Sequence, residues 1–225
     1  MGLEFALLDA SFSDDDAPRN FSREFDADVV AYDVREGDLP PTPGDGWPHD
    51  GVVVSGSAAS VYWNREWIDD LRGWLERAVR TDLPTLGVCF GHQLLAEVLG
   101  GRVRSMGEYE LGYHMIRRTG ASDLLAGLDD WFVAFTAHSD EVVAFPRDAT
   151  VIARNPYSAH GFRRGTVYGV QFHPEMDLAS ATSIMAHRGV DGETVEHMIA
   201  TANDGAHNEA ADARTIFQHF ESIAR

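Results

Sequence analysis

The segment from Thr85 to Leu99, TLGVCFGHQLLAEVL, joins a predicted strand to a predicted helix through the only cysteine of the chain. Apolar residues from Leu83 to Val88 indicate a buried strand, and an apolar stripe at positions 94, 95, 98 and 99 indicates a helix. Cys89 therefore lies at a sharp strand-to-helix turn, which Gly91 makes sterically accessible. The helix N-terminus favours a thiolate there. A lone cysteine is otherwise more often a small buried hydrophobic residue, but this turn favours a nucleophile.

A second motif supplies the base and the carboxylate that a nucleophilic cysteine requires. The apolar run from Val167 to Phe172 predicts a strand, and the sequence HPE follows it directly. Residues two apart on an extended chain point to the same side, so His173 and Glu175 should lie together at the end of this strand. The intervening proline keeps the segment extended. Taken alone, the motif fits a surface loop equally well; combined with the cysteine turn, it predicts a Cys–His–Glu triad.

The two motifs, GVCFGHQLLA followed by GVQFHPE, resemble those of the class I glutamine amidotransferases, whose triad runs cysteine, histidine, glutamate along the chain. The resemblance covers about Val52 to Glu175 and is nearest to the glutaminase part of GMP synthetases and their stand-alone relatives. It implies Cys89, His173 and Glu175 as the catalytic residues. The CFGHQ form of the turn also resembles plant-type γ-glutamyl peptidases, which share the fold and the triad.

The order of strands and helices predicts an α/β fold with a mostly parallel central sheet flanked by helices. The resemblance implies that this fold is of the flavodoxin-like, class I glutamine amidotransferase type, with the site at the carboxyl ends of the strands. Strands are predicted at Leu3–Leu8, Ala27–Tyr32, Gly51–Ser55 and Trp131–Thr136, and helices at Asn20–Phe25, Glu66–Arg80 and Arg214–Ile223.

The resemblance further implies an oxyanion hole beside the cysteine. In the family, a glycine-rich turn after a buried strand donates backbone N–H groups together with the residue after the nucleophile. We assign these donors to Gly56 or Ser57 and to Phe90. The usual Gly-Gly-Pro of this turn is replaced here by Gly-Ser-Ala.

Three substrate-binding residues are implied in the same way. Gln93 would contact substrate from the helix after the cysteine, and a turn carrying His138 and Ser139 would hold the α-amino and α-carboxylate groups of glutamine. A Glu-x-Gly sequence at Glu110 resembles one that lines the approach to the family's pocket. His138 is the alternative base, but His173 is favoured because a carboxylate neighbours it.

The implied reaction is nucleophilic. The thiolate of Cys89 attacks the side-chain amide of glutamine, and His173, oriented by Glu175, protonates the departing ammonia and then activates water against the thioester. No metal or organic cofactor is required. The sequence contains no G-x-x-x-x-G-K-S/T phosphate-binding loop, so use of the ammonia would require a separate ATP-dependent synthetase subunit. The alternatives are a stand-alone γ-glutamyl peptidase and a non-catalytic binding module that retains the fold.

The composition bears on location and partners. The chain has 36 acidic and 18 basic residues, a formal net charge of −18, and no lysine. This predicts the cytoplasmic protein of a halophile, in which salt screens self-repulsion; an acidic surface for a basic partner is the alternative. The charge argues against nucleic acid. The single cysteine fits a reducing compartment, and no apolar run reaches membrane-spanning length.

We expect one domain over residues 1–225, with an extra helical segment at about 177–213 after the triad glutamate. Helices are predicted at Ser180–Gly189 and Glu193–Ala202 within this segment. Its histidines at positions 187, 197 and 207 recur every ten residues, which does not place them on one helical face, so no metal site is predicted. The acidic run at residues 14–16 is predicted to be a solvated loop.

Overall fold

The computed structural model describes residues 2–12, 16–44, 46–187 and 209–225, and within these residues nine strands form one sheet flanked by helices. The strands are β1 Glu4–Asp9, β2 Asp28–Asp33, β3 Gly51–Val54, β4 Thr85–Val88, β5 Arg102–Arg118, β6 Trp131–Ala144, β7 Thr150–Arg154, β8 Ala159–Arg164 and β9 Val167–Val170. The α-helices are α1 Asp16–Glu24, α2 Glu66–Ala78, α3 Phe90–Val98, α4 Leu178–His187 and α5 Thr215–Ala224, with 3₁₀ turns at Val34–Glu36 and Ala210–Arg214.

The sheet has a parallel half and an antiparallel half. Its strand order is β2-β1-β3-β4-β9-β8-β7-β5-β6, in which the first five strands pair in parallel and the remaining pairings are antiparallel. The predicted α/β class is confirmed, and the parallel half carries both motifs. The antiparallel half follows from short connections: Gly165 and Thr166 alone join β8 to β9, which is too short for the crossover that a parallel pair needs.

Two apolar layers cover the two faces of the parallel half. Alternate residues of β1 divide between them, because successive side chains of a strand point to opposite faces. Phe5 and Leu7 belong to the layer under α1 and α5, whereas Ala6 and Leu8 belong to the layer under α2 and α3. In the first layer the aromatic rings of Phe5 and Phe220 lie 5.3 Å apart. This packing fixes the strand ends on which the candidate site is built.

Most predicted elements occur close to their expected positions, but one prediction is wrong. The residues from Ala137 to Asp140 were expected to form a turn, whereas β6 runs through them without interruption to Ala144. His138 pairs with Glu110 and Asp140 with Ser105 across the antiparallel ladder with β5. A long partner strand satisfies these backbone groups, which removes the need for a turn.

Part of the predicted extra segment lies outside the described residues. The helix at Glu193–Ala202, the histidines at positions 197 and 207, and the acidic positions 14 and 15 cannot be compared with the structure, and neither can the side chain of His187. Helix α4 occupies the start of this segment, and α5 follows it near the predicted last helix. None of the helices described is long and apolar enough to cross a membrane.

Candidate active site

Cys89 occupies a strained position between β4 and α3. Its backbone angles are φ 51° and ψ −103°, a conformation that costs energy for a residue with a side chain and that is typical of functional turns. Its N–H donates to the Val170 carbonyl at 2.8 Å, which ties the turn to β9. Gly91 packs so tightly against Val54 that a Cβ there would overlap the backbone of β3. The predicted turn is therefore present, and it depends on glycine.

His173 and Glu175 lie where β9 gives way to a loop. The Nδ1 of His173 is 2.7 Å from Oε1 of Glu175, and both side chains are buried. The His173 N–H donates to the Phe135 carbonyl at 2.8 Å, so β6 holds this loop. The imidazole also contacts the sulfur of Cys89. The structure thus brings together the three side chains that the sequence assigned to a triad.

The environment of His173 favours its protonated form. Burial by itself would lower the pKa of His173, but the carboxylate of Glu175 and the sulfur of Cys89 raise it to about 10. An imidazolium beside the sulfur stabilises a thiolate, which is the nucleophilic form of cysteine. The arrangement can therefore carry out acyl transfer with His173 as proton donor and acceptor.

Two of the predicted oxyanion-hole residues, Gly56 and Ser57, border the cavity beside the triad, and the third, Phe90, follows Cys89 in the chain. Gly56 lies so close to the triad that a Cβ there would be 2.8 Å from Cε1 of His173. Gly56 and Ser57 line the cavity that contains Cys89. Phe90 is the first residue of α3, where a backbone N–H has no acceptor within its own helix. The role of these three residues as backbone donors to an oxyanion stays a prediction.

A cavity of about 530 Å³ opens onto the triad. One wall comes from α1 and from Ser11 and Phe12 before it, and another comes from α4, which lies at the start of the segment predicted to be an addition. Arg23 of α1 fixes the loop beyond the triad by donating to the Glu175 carbonyl at 2.5 Å and to Asp177 at 2.8 Å. The lining residues away from the triad include Phe12, Ala17, Asn20, Tyr109, Met176, Ser180 and Ile184.

Two of the three side chains predicted to bind substrate, those of Gln93 and His138, contact other protein groups. Gln93 donates its Nε2 to the Asp140 carbonyl at 3.0 Å and to Oε1 of Gln171 at 2.9 Å. The ring of His138 contacts Glu110, with Nε2 3.1 Å from Oε2 of that residue. Gln93, His138 and Ser139 do line a small recess beside Cys89. Substrate contact by these three residues stays a prediction, and the recess gives it a location.

Sequence reasoning missed a buried polar cluster behind the cysteine. Glu110 of β5, His138 of β6 and His160 of β8 meet there, and Asn155 donates to Glu110 at 2.5 Å. Burial opposes ionisation of Glu110, yet the two histidines beside it hold the pKa of this carboxyl below its ordinary range. The only signal in the sequence was a polar residue at each of three strand positions. Strand register, which the sequence leaves open, determines that they meet.

Three comparisons with known proteins agree with this geometry. Residues 19–191 match the family described as glutamine amidotransferase class-I. The chain is 34% identical over 157 residues to a glutamine-hydrolyzing GMP synthase from Vibrio atlanticus, a match that covers 66% of this chain and 28% of the relative. The chain thus spans less than a third of that protein.

Two solved structures share the fold. A glutamine amidotransferase from Thermotoga maritima superposes with a TM-score of 0.81 at 20% identity, covering 98% of this chain and 99% of the other. A putative GMP synthase subunit from Thermoplasma acidophilum superposes with a TM-score of 0.70 at 22% identity, covering 100% and 94%. The predicted type of α/β fold is confirmed.

Proposed function

The chain belongs to the class I glutamine amidotransferase family, and from this premise we propose that it hydrolyses glutamine to glutamate and ammonia through a cysteinyl thioester. The observation that carries the proposal is the contact of Cys89, His173 and Glu175 at the floor of an open cavity. The family match confirms the predicted enzyme class, whereas the reaction steps, the substrate and the partner are proposals.

The proposed reaction begins with attack of the Cys89 thiolate on the side-chain amide carbon of glutamine. His173 gives its proton to the amide nitrogen as the carbon–nitrogen bond breaks, and ammonia leaves. His173 then takes a proton from water, whose oxygen attacks the thioester and releases glutamate and the thiolate. Glu175 keeps the imidazole oriented throughout, and the N–H groups of Phe90 and of the Gly56 turn stabilise the oxyanion at each tetrahedral stage.

We propose that the ammonia passes to a separate, ATP-dependent synthetase partner. The matched relatives include a glutamine-hydrolyzing GMP synthase, of which this chain covers 28%, and a protein named as a putative GMP synthase subunit. The amidotransferase part is therefore found both within a longer chain and under the name of a subunit.

We also propose that the protein is cytoplasmic and functions in high salt. The single cysteine must remain a thiol, which supports a cytoplasmic location, and the net charge of −18 supports function in high salt.

A γ-glutamyl peptidase activity is the second candidate, and the volume and apolar lining of the cavity support it. A volume of about 530 Å³ falls in the range of pockets that hold drug-sized ligands, and Phe12, Met176 and Ile184 give it apolar walls. Such a cavity has room for a leaving group larger than ammonia. The same three triad residues would cleave a γ-glutamyl amide without any partner.

Release of glutamate by the purified chain in molar salt tests both candidates. Glutamine and a series of γ-glutamyl dipeptides are compared side by side, with Cys89→Ala as the inactive control. Turnover of glutamine alone supports the glutaminase, and preference for the dipeptides supports the peptidase. Activity that survives Cys89→Ala contradicts both.

Covalent labelling provides a readout that does not depend on turnover. An electrophilic glutamine analogue, with a diazoketone in place of the side-chain amide, should attach covalently to the chain. The mass of the protein should increase by that of one bound analogue, and the mass of Cys89→Ala should not change. Because the chain has a single cysteine, the mass shift assigns the nucleophile directly. Failure of the analogue to label a folded chain would overturn the assignment of a glutamine-binding site around this cysteine.

A further inference from the structure

The buried cluster of Glu110, His138 and His160 has the composition of a metal site. One ligand atom from each residue lies within 4.8 Å of the other two, and all three residues are buried. Two imidazoles and one carboxylate are a common ligand set for zinc and other divalent transition metals. The three residues come from β5, β6 and β8, so the sheet itself holds them in place.

The hydrogen bonding of His138 leaves one ring nitrogen aimed into the cluster. Its Nδ1 lies 3.0 Å from the Asp140 carbonyl, which can only accept, so Nδ1 carries the hydrogen. The Nε2 of a neutral His138 then carries a lone pair and no hydrogen. This atom is buried and makes no hydrogen bond among the described residues, although Oε2 of Glu110 lies 3.1 Å away. Two lone pairs at this distance repel, so a proton or a cation must lie between them.

The distances within the cluster fit a cation. Oε2 of Glu110 is 3.1 Å from Nε2 of His138 and 3.3 Å from Nε2 of His160. Ligand bonds of about 2.0–2.1 Å in tetrahedral geometry place neighbouring ligand atoms about 3.3 Å apart. Both of these distances therefore match the spacing of neighbouring ligands around a single ion, and all three ligand atoms lie within 4.8 Å of one another.

The groups that surround the cluster also resemble a metal's supporting shell. A ligating histidine usually donates its other N–H to a carbonyl or carboxylate, as His138 does to Asp140. A ligating carboxylate is usually hydrogen-bonded through its second oxygen, as Glu110 is by Asn155. Both contacts hold their residue in the orientation that presents one lone pair to the common point.

We propose that Glu110, His138 and His160 form a site for one divalent transition-metal ion of the zinc class. The site lies behind the candidate nucleophile: His138 follows Ala137, whose carbonyl is 3.8 Å from the sulfur of Cys89. The ion would tie β5, β6 and β8 together beneath the recess next to Cys89. None of the three ligands belongs to the triad, so metal binding can be tested independently of the proposed glutaminase reaction.

Zinc titration of the whole chain tests the proposal. The experiment uses Cys89→Ser, because a thiolate beside His173 would otherwise compete for the ion. The protein is stripped with a chelator, titrated with Zn²⁺ against a fluorescent zinc indicator, and desalted for elemental analysis. We expect one tightly held Zn²⁺ per chain, and a melting temperature that rises with Zn²⁺ concentration because the ion binds the folded state.

Ligand substitutions locate the ion. His138→Gln and His160→Gln, each in the Cys89→Ser background, should lower zinc affinity at least about 10-fold, and Asn155→Ala should lower it less while leaving all three ligands in place. His49→Gln is the matched control, since His49 is a buried histidine 2.7 Å from one carboxylate, Glu4, but belongs to no three-residue group of potential ligands within the described residues. Circular dichroism confirms that each variant is folded.

Two outcomes would overturn the proposal. Absence of retained zinc in Cys89→Ser would mean that the cluster is held by protons alone, with His138 protonated against Glu110. Zinc that remains at full stoichiometry and affinity in the combined His138→Gln and His160→Gln variant would place the ion elsewhere.

Substitution of Co²⁺ for Zn²⁺ provides a second readout. The cobalt-loaded protein should show visible absorption bands of the metal without a sulfur-to-metal charge-transfer band, because the proposed ligands are nitrogen and oxygen.

Discussion

The Nδ1 of His173 lies 2.7 Å from Oε1 of Glu175, two residues further along the chain, and both side chains are 4% exposed. A carboxylate accepts hydrogen bonds, so this contact places the hydrogen on Nδ1 and turns Nε2 toward the cysteine. The orientation that the proposed reaction needs is therefore set by a local contact within the loop after β9.

Substitution of Glu175 should change the pH dependence of the reaction as well as its rate. Glu175 and Cys89 together raise the pKa of His173 to about 10. Glu175→Gln removes the larger of the two charge effects, so it should lower the pKa of His173 and move the alkaline limb of the kcat/KM profile to lower pH. We expect Glu175→Gln to cost about ten- to a hundredfold less in kcat than His173→Ala. The pH–rate profiles of both, with the exposed Glu66→Gln as control, measure this. An unshifted profile, or a larger loss in Glu175→Gln, would contradict the orienting role.

A methyl group at position 56 should disturb the triad without removing a backbone donor. In Gly56→Ala the new Cβ would lie 2.8 Å from Cε1 of His173 and 3.6 Å from Cβ of Cys89, so the imidazole must shift. Misplacement of a catalytic group by about 1 Å costs on the order of a hundredfold in rate. Gly44→Ala is the matched control, because a Cβ there would meet nothing within 4 Å. Equal rates for the two variants would show that the site tolerates this crowding.

Replacement of Gln93 distinguishes a structural role from contact with substrate. Gln93→Leu leaves the buried Gln171 amide oxygen without its donor and removes one of the two donors to the Asp140 carbonyl, the other being His138, which should lower the free energy of unfolding by about 1–3 kcal/mol. Gln218→Leu, at an exposed position of α5, should change it little. Denaturant unfolding and KM are measured together. Unchanged stability with a raised KM would favour the role predicted from the sequence.

Salt should stabilise this chain strongly. With a formal net charge of −18, self-repulsion opposes folding, and raising the ionic strength from 0.1 M to 1 M shortens the screening length from about 10 Å to about 3 Å. We expect the melting temperature to rise by about 5 °C or more, a gain above about 1 kcal/mol. A variant with Asp70→Asn and Glu76→Gln, both exposed on α2, should show a smaller rise. A melting temperature that does not change with salt would contradict the halophile hypothesis.

Local features of the site were predictable because they depend on short-range geometry. Alternation along an extended chain places His173 and Glu175 on one side, and a strand that ends at a glycine-flanked cysteine forces a tight turn. The same local reasoning failed for residues 137–140, where the ladder with β5 extends β6 through an expected turn. It also could not show that Gln93 would be held by Asp140 and Gln171.

The sequence by itself determined the α/β class, the position of the cysteine turn, and the pairing of a histidine with a carboxylate. Only the tertiary structure decided that β9 lies beside β4, which carries His173 to Cys89. It also decided that Glu110 and His160, 50 residues apart in the chain, lie within 3.3 Å of each other in the protein interior. Turns and alternation follow from the φ, ψ preferences of a few neighbouring residues, whereas strand order and register follow from burial of the whole apolar surface, to which every segment contributes.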